Sequence, residues 1–323
     1  MKTRLLNMLF AAAIAVSATC VPAQEFPSRP MKVLVAYAPG GTPDVVSRFL
    51  GPLMTASLGQ PIVVENKAGA GGLPAVQELI KSPPDGYTML IADVSQYAIL
   101  PAMRPGLYDP VRELQPLAQI TTNSIFIMVN NTIPVKNMQE FLALVRAKPG
   151  QLNYGSPGVG TLHHLFMEAV KAAYGLNILH VPFKGSGQTV ISLLNGDIPM
   201  AIAGVTTTQQ QIKEGKLHAI AASTKERDKV LAPDVPSASE FGAPDIDYAG
   251  DQGYFLPVGT PKAVAEKLGA ALAKATLSPE FAARAGALGT IVQYRNAEQF
   301  AELVRASYPR YQRVIKLAGI KPE

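Results

Sequence analysis

Tryptophan is absent from the chain, cysteine occurs once, at Cys20, and histidine only four times. One cysteine excludes an intrachain disulfide, so the fold has to be held by its cores. The histidines are His163, His164, His180 and His218. No H-E-x-x-H occurs, and the adjacent pair diverges on a helix, so no metal centre is expected and each histidine reads first as structural. The G-x-x-x-x-G-K-[ST] phosphate loop is missing, and "GAGGLP" at 69–74 has proline where the dinucleotide fingerprint needs its third glycine. No nucleotide or other cofactor is therefore expected. The nucleophile elbow G-x-S-x-G is absent as well, which leaves hydrolase chemistry without its usual starting point. Lys and Arg number 29 against 24 Asp and Glu, a formal +5, with no basic run, so nucleic acid is not an expected partner.

What is present begins with a leader. Lys2 and Arg4 precede the apolar run 5–18, and Val21-Pro22-Ala23 closes on a small residue. Residues 1–23 read as a secretory signal peptide, too short and wrongly flanked for a membrane span. A lipoprotein anchor at Cys20 is the alternative, with Ser17-Ala18-Thr19 a poor run-in to it. Cleavage after Ala23 leaves Gln24 first and removes Cys20. It takes Lys and Arg from 29 to 27, and the charge from +5 to +3. No second apolar stretch approaches the ~20 residues of a transmembrane helix. The remaining length suits about two domains.

Apolar strand-like runs at 33–38, 62–65, 88–92, 125–130, 152–155, 178–181, 200–203 and 219–223 alternate with helical patterns. That alternation predicts an α/β protein of parallel construction. At 160–174, Leu162, Leu165, Phe166, Ala169 and Ala173 share one face of a helix, and His164, Glu168 and Lys171 the opposite one. The tail reads as helices at 261–275, 279–288 and 297–318. Strand-like pieces at 117–120 and 218–223 read as two crossings between domains. They divide the chain into a discontinuous lobe, 24–121 plus 223–323, and an inserted lobe, 122–222. Two crossings make a hinge.

Glycines recur where strands end. "YAPGGTPD" at 37–44 leaves the first strand through Gly40-Gly41 and begins a helix, with Thr42 a good N-cap, Pro43 suited to the first helical position and Asp44 to the first turn. "NKAGAGG" at 66–72, "SPGVGT" at 156–161, "PFKGSG" at 182–187 and "GVTTT" at 204–208 repeat the theme. In open α/β sheets ligands bind outside the carboxyl ends of the strands, and loops that end in helix N-termini suit an anion. Asp93, beside Val94-Ser95, either faces a ligand or caps the following helix. Lys184 is a carboxylate partner or a solvated loop lysine.

Several motifs then match a known family in order. They are P-G-G-x-x-D at 39–44, V-V-E-N-K-x-G-A-G-G at 63–72, P-D-G-Y-T at 84–88, K-P-G-Q-L-N-Y-G-S-P-G-x-G-T at 148–161, H-V-P-F-K-G at 180–185 and A-G-I-K-P at 318–322. From about Phe26 to the end the chain resembles the extracytoplasmic solute-binding proteins of tripartite tricarboxylate transporters, the Bug or TctC type. The resemblance implies a two-lobed periplasmic-binding-protein fold of type II-like form, each lobe a sheet flanked by helices. It implies closure on a small organic acid without catalysis, a periplasmic location, a monomer, and permease subunits as partners. It nominates Tyr37, Gly40, Gly41, Thr42, Asp44, Gly69 and Ala70 from one lobe, and Ser156, Gly158, Gly160, Thr161, Lys184 and Gly185 from the other. Asp93 and Ser95, at the end of the third strand, join the candidate ligand-binding set.

A carboxylate is an odd partner for an anion. Asp44 is therefore expected either to accept from loop amides and orient water, or simply to stabilise its own helix. The family often carries a Gly-Thr-Ser-like run where this chain has Ala92-Asp93-Val94-Ser95, Asn where it has Leu73, an aspartate near Ala203-Gly204, and Ser-Trp-Phe-Gly where it has Gly250-Asp251-Gln252-Gly253. If Asp93 and Asp251 both face the cleft, a plain dianion is repelled. That points to a ligand with one carboxylate and an amino or heterocyclic nitrogen group. Capture for a permease leads. Presentation to a membrane sensor and a secreted hydrolase or isomerase on the same scaffold are the alternatives.

Overall fold

The computed structural model describes residues 25–241, 247–317 and 319. The leader with Cys20 and the closing motif at 318–322 lie outside the described set, apart from Gly319. In chain order, β1 (Met31–Val35), β2 (Ile62–Asn66), β3 (Thr88–Asp93) and β4 (Leu114–Thr122) belong to a first sheet. The chain then builds a second sheet from β5 (Ile125–Asn130), β6 (Asn153–Ser156), β7 (Leu179–Pro182), β8 (Met200–Gly204) and β9 (Leu217–Ala222). It returns to the first with β10 (Gln252–Pro257) and β11 (Ile291–Arg295). The strand orders are β11-β4-β10-β3-β1-β2 and β7-β6-β8-β5-β9. Only Asn123 and Ser124 separate β4 from β5, so the first passage between sheets is short and sits beside the second, after β9.

Both sheets are mixed, where alternation alone predicts parallel ones. β1 runs parallel to β2 and β3, and β6 parallel to β7 and β8. The strands next to the passages are reversed: β10 is antiparallel to β3 and β4, and β5 to β8 and β9. A strand entering from the other lobe needs no crossover helix, so nothing obliges it to run parallel. β10 escapes a sequence reading because Gly253 lies near its start and Pro257 ends it. The glycine is required by packing, since a Cβ there would lie 2.7 Å from Ala118 O and collide with the Phe300 ring.

The helix Thr42–Leu58 shows how burial selects these elements. Val46, Leu50 and Met54 recur every fourth residue and are fully buried, each worth roughly 2 kcal/mol of apolar transfer. It stops at Gly59, in the left-handed conformation, whose N–H reaches Thr55 O. β5 is buried along its whole length because both faces are covered. Ile125, Ile127 and Val129 join a cluster continuous with the first lobe, while Phe126 and Met128 pack with Leu193 and Val205. Leu231, Ala232 and Val235, after the second passage, also pack on that outer cluster.

Candidate functional site

Four helices start at the ends of strands and turn their first residues towards one small cavity between the lobes. They begin at Thr42, Leu162, Ser186 and Val205 and run for 17, 13, 10 and 9 residues. Thr42 and Pro43, Leu162 and His163, Ser186, and Gly204 and Thr207 all line that cavity. The first amides of a helix have no partner within it, and its N-terminus carries about half a positive charge. Four such ends together offer at most roughly +2. Among the described residues, no lysine or arginine lines the cavity. The attraction for an anion is therefore a property of the backbone.

The remaining wall is polar and buried. Tyr37 and Asp93 come from the ends of β1 and β3, Asn123 from the first passage, and Gly250 and Gln252 from the start of β10. The Tyr37 hydroxyl donates to Asp93 Oδ2 at 2.7 Å and lies 3.1 Å from Ser95 Oγ, and the Ser95 amide donates to Asp93 Oδ1 at 2.7 Å. Burial raises the Asp93 pKa, against the lowering effect of these bonds. Burial, and then the neighbouring Asp93 charge, push Tyr37 well above its usual value. His163 is held neutral, with burial bringing its pKa down to about 4.

The lobes touch around this cavity. The Thr42 hydroxyl donates to Thr206 Oγ1 at 2.8 Å, and the Leu162 amide donates to Ser95 Oγ at 2.8 Å. Thr42 is the first helical residue, with Gly41 as N-cap. The hydroxyl expected to cap its own helix is used across the cleft instead. Gly71, at φ 67°, has room for no side chain, since a Cβ would come within 2.7 Å of Val159 O in the other lobe. Gly160 meets Leu100 and Gly185 meets Ala38 in the same way. The cavity has a volume of only about 20 Å³, enough for about one water. This is a closed arrangement.

Of the residues nominated from sequence, Tyr37, Thr42 and Asp93 line the cavity. Ser95 is buried at the contact with Leu162. Gly40 and Asp44 are bonded to each other, amide to carboxylate, and Asp44 also holds Arg48 and Asn66. Gly41 is the buried N-cap between them. Gly69 and Ala70 form the turn that delivers Gly71. Ser156 Oγ lies 2.7 Å from His180 Nε2, and Thr161 caps its helix through the His164 amide while its hydroxyl donates to Gly158 O. Gly158 and Gly160 lie in that loop, Gly185 is the N-cap of the helix that starts at Ser186, and Lys184 is exposed.

Asp251 does not line the cavity. Its carboxylate accepts from Gln119 Nε2 at 3.0 Å, and burial raises its pKa. Sequence reasoning missed Asn123, His163, Ser186 and Gln252. His163, two residues past the Thr161 cap, was legible as a first-turn residue, whereas Gln252 carries no sequence signal beyond the family departure around it. His164, placed by periodicity on the polar face, is buried and stacked on His180 at 4.3 Å. Among the described residues no cluster of His, Cys, Asp or Glu could hold a metal ion, and no helix is long and apolar enough to cross a membrane.

The model of the tripartite tricarboxylate transporter family receptor matches residues 46–320. A UPF0065 protein of Bordetella pertussis is 34% identical over 278 residues, 86% of this chain and 85% of its own. The structure of periplasmic binding protein BugD superposes with a TM-score of 0.87 at 29% identity, covering 92% of this chain and 99% of its own. MatC from Rhodopseudomonas palustris with bound malate gives 0.85 at 30% identity, covering 90% and 100%.

Proposed function

Because the chain belongs to the tripartite tricarboxylate transporter receptor family, we propose that it captures a small organic acid between its lobes and passes it unchanged to a membrane permease. The convergence of four helix N-termini on one buried cavity without a lysine or arginine carries this reading. Such a site holds a carboxylate by oriented amides. The ligand sits against Tyr37, Thr42 and Asp93 on one side and the first turns at Leu162, Ser186 and Gly204 on the other. The glycine loops at 40–41, 69–72 and 156–161 and Gly185 set the approach of the lobes, with Lys184 at the rim. Lobe one comprises 24–121 and 223–323, and lobe two 122–222, with Leu231–Val235 resting on lobe two. Asp93 in the wall favours an acid that also bears an amino or heterocyclic nitrogen. The protein works as a periplasmic monomer delivered by the leader at 1–23, and its macromolecular partners are the permease subunits.

Thermal unfolding across a panel of mono- and dicarboxylates tests capture. A ligand bound only by the folded state stabilises it by about 2.7 kcal/mol at a hundredfold excess over its dissociation constant. A panel that shifts nothing refutes the reading.

A further inference from the structure

Gln252 lies directly opposite Asp93 in the antiparallel pairing of β10 with β3, and both residues line the cavity. Opposed residues in such a pair hold their Cβ atoms about 5 Å apart on one face of the sheet. Gln252 is 1% exposed, and among the described residues its Oε1 has no hydrogen-bond partner. Its amide is oriented by hydrogen bonding to the first passage. Ser124 O accepts from Asn123 Nδ2 at 3.4 Å, which turns Asn123 Oδ1 to receive Gln252 Nε2 at 2.8 Å. Gly250 leaves room for this, since a Cβ there would stand 2.7 Å from Asn123 Oδ1. With the Nε2 end engaged, the carbonyl end is left without a donor. Asp93 has spent one lone pair of each oxygen, on Tyr37 and on the Ser95 amide. Each carboxylate oxygen retains a second. Apart from the second N–H of Gln252 Nε2, whose other hydrogen goes to Asn123, the two side chains offer acceptor positions only.

We infer that Asp93 and Gln252 are a specificity-determining pair that receives an N–H donor of the ligand, so that the acid captured carries a protonated amine or a protonated nitrogen heterocycle. This rests on the capture reading, with the ligand carboxylate at the helix N-termini. An ammonium group has three donors and satisfies Asp93 and the Gln252 carbonyl together. A hydroxyl has one, and a second carboxylate has none and meets Asp93 with like charge.

The test is calorimetric titration of the mature protein at neutral pH with matched acids: succinate against L-aspartate, glutarate against L-glutamate, cyclopentanecarboxylate against L-proline, whose ring nitrogen is protonated at that pH. At least one nitrogen-bearing member is expected to bind about tenfold or more tightly than its partner. Gln252→Leu is expected to reduce that preference to about threefold or less. Gln252→Glu, which supplies acceptors at the same place, is expected to keep the preference, and its loss there overturns the inference if the leucine variant fails to fold. Plain acids binding as well as or better than their partners throughout, or an undiminished preference in Gln252→Leu, overturns the inference and leaves capture standing. No binding by any of the six acids overturns both.

Discussion

Asp44→Ala is expected to destabilise the protein sharply, though Asp44 does not line the cavity. The carboxylate is 3% exposed and accepts from the Gly40 amide, Arg48 Nε and Asn66 Nδ2, each at 2.9 Å. Asn66 Nδ2 also donates to Tyr37 O, so one carboxylate ties the P-G-G loop, its helix and the end of β2 together. Alanine strands two amide donors in a partly buried setting, while Arg48, half exposed, regains water. Counting about 1.5 kcal/mol for each lost bond to the charged group, and little for the arginine, the loss is roughly 3 kcal/mol. For a chain of about 300 residues that lowers Tm by roughly 5 °C.

The sign with pH is fixed as well. Burial alone would raise the Asp44 pKa, but the bonds from Arg48, Gly40 and Asn66 together hold it below the usual value. Its contribution is therefore present above the unfolded carboxylate pKa of about 4 and disappears as pH falls through the folded value. Calorimetric melts of wild type and Asp44→Ala at neutral pH and near pH 3 read both effects. A Tm difference under about 2 °C at neutral pH, or one undiminished in acid, refutes the role given to Asp44.

His163 has the usual pKa of 6.5 when unfolded and about 4 when folded. Its stabilising contribution is full above 6.5 and is lost towards pH 4, a matter of about 2–3 kcal/mol. His163→Gln is expected to flatten urea-unfolding stability across that window, and an unchanged slope contradicts it. Asp93 has the opposite sign because its folded pKa is raised: its contribution is present in acid and lost as pH rises through the folded value. Asp93→Asn is expected to gain stability at neutral pH relative to pH 3.5, read by the same titration. Gly289, at φ +64°, has no room for a Cβ beside the Thr206 backbone nitrogen across the cleft. In Gly289→Ala, small-angle scattering with a bound acid is expected to give a larger radius of gyration than wild type, and an equal radius contradicts the contact's part in closure.

Most of the strands that carry the cavity were legible because they are dense apolar runs. β1, β3, β5 and β8 all lie within a few residues of their predicted places, and so does the helix that follows Thr161. β11 was not legible, because it is a half-buried edge strand between two helices, and neither was β10, whose glycine answers to Phe300 far along the chain. The glycine loops pointed to helix N-termini at strand ends, which is where the cavity lies. Sequence could not separate a glycine that touches ligand from one that lets lobes meet. Gly71, Gly160 and Gly185 do the latter in the closed arrangement, against Val159, Leu100 and Ala38. The positions of Gln252 and Asn123 depend on strand register between segments more than a hundred residues apart, which periodicity does not carry.

A crystal structure of the protein with the tightest-binding acid of the panel tests the central claim most directly. The ligand carboxylate is expected within about 3 Å of first-turn amides from both lobes, at the helices that begin at Thr42, Leu162, Ser186 or Val205. A carboxylate held on an outer surface, or by lysine and arginine side chains with those amides left to water, contradicts it.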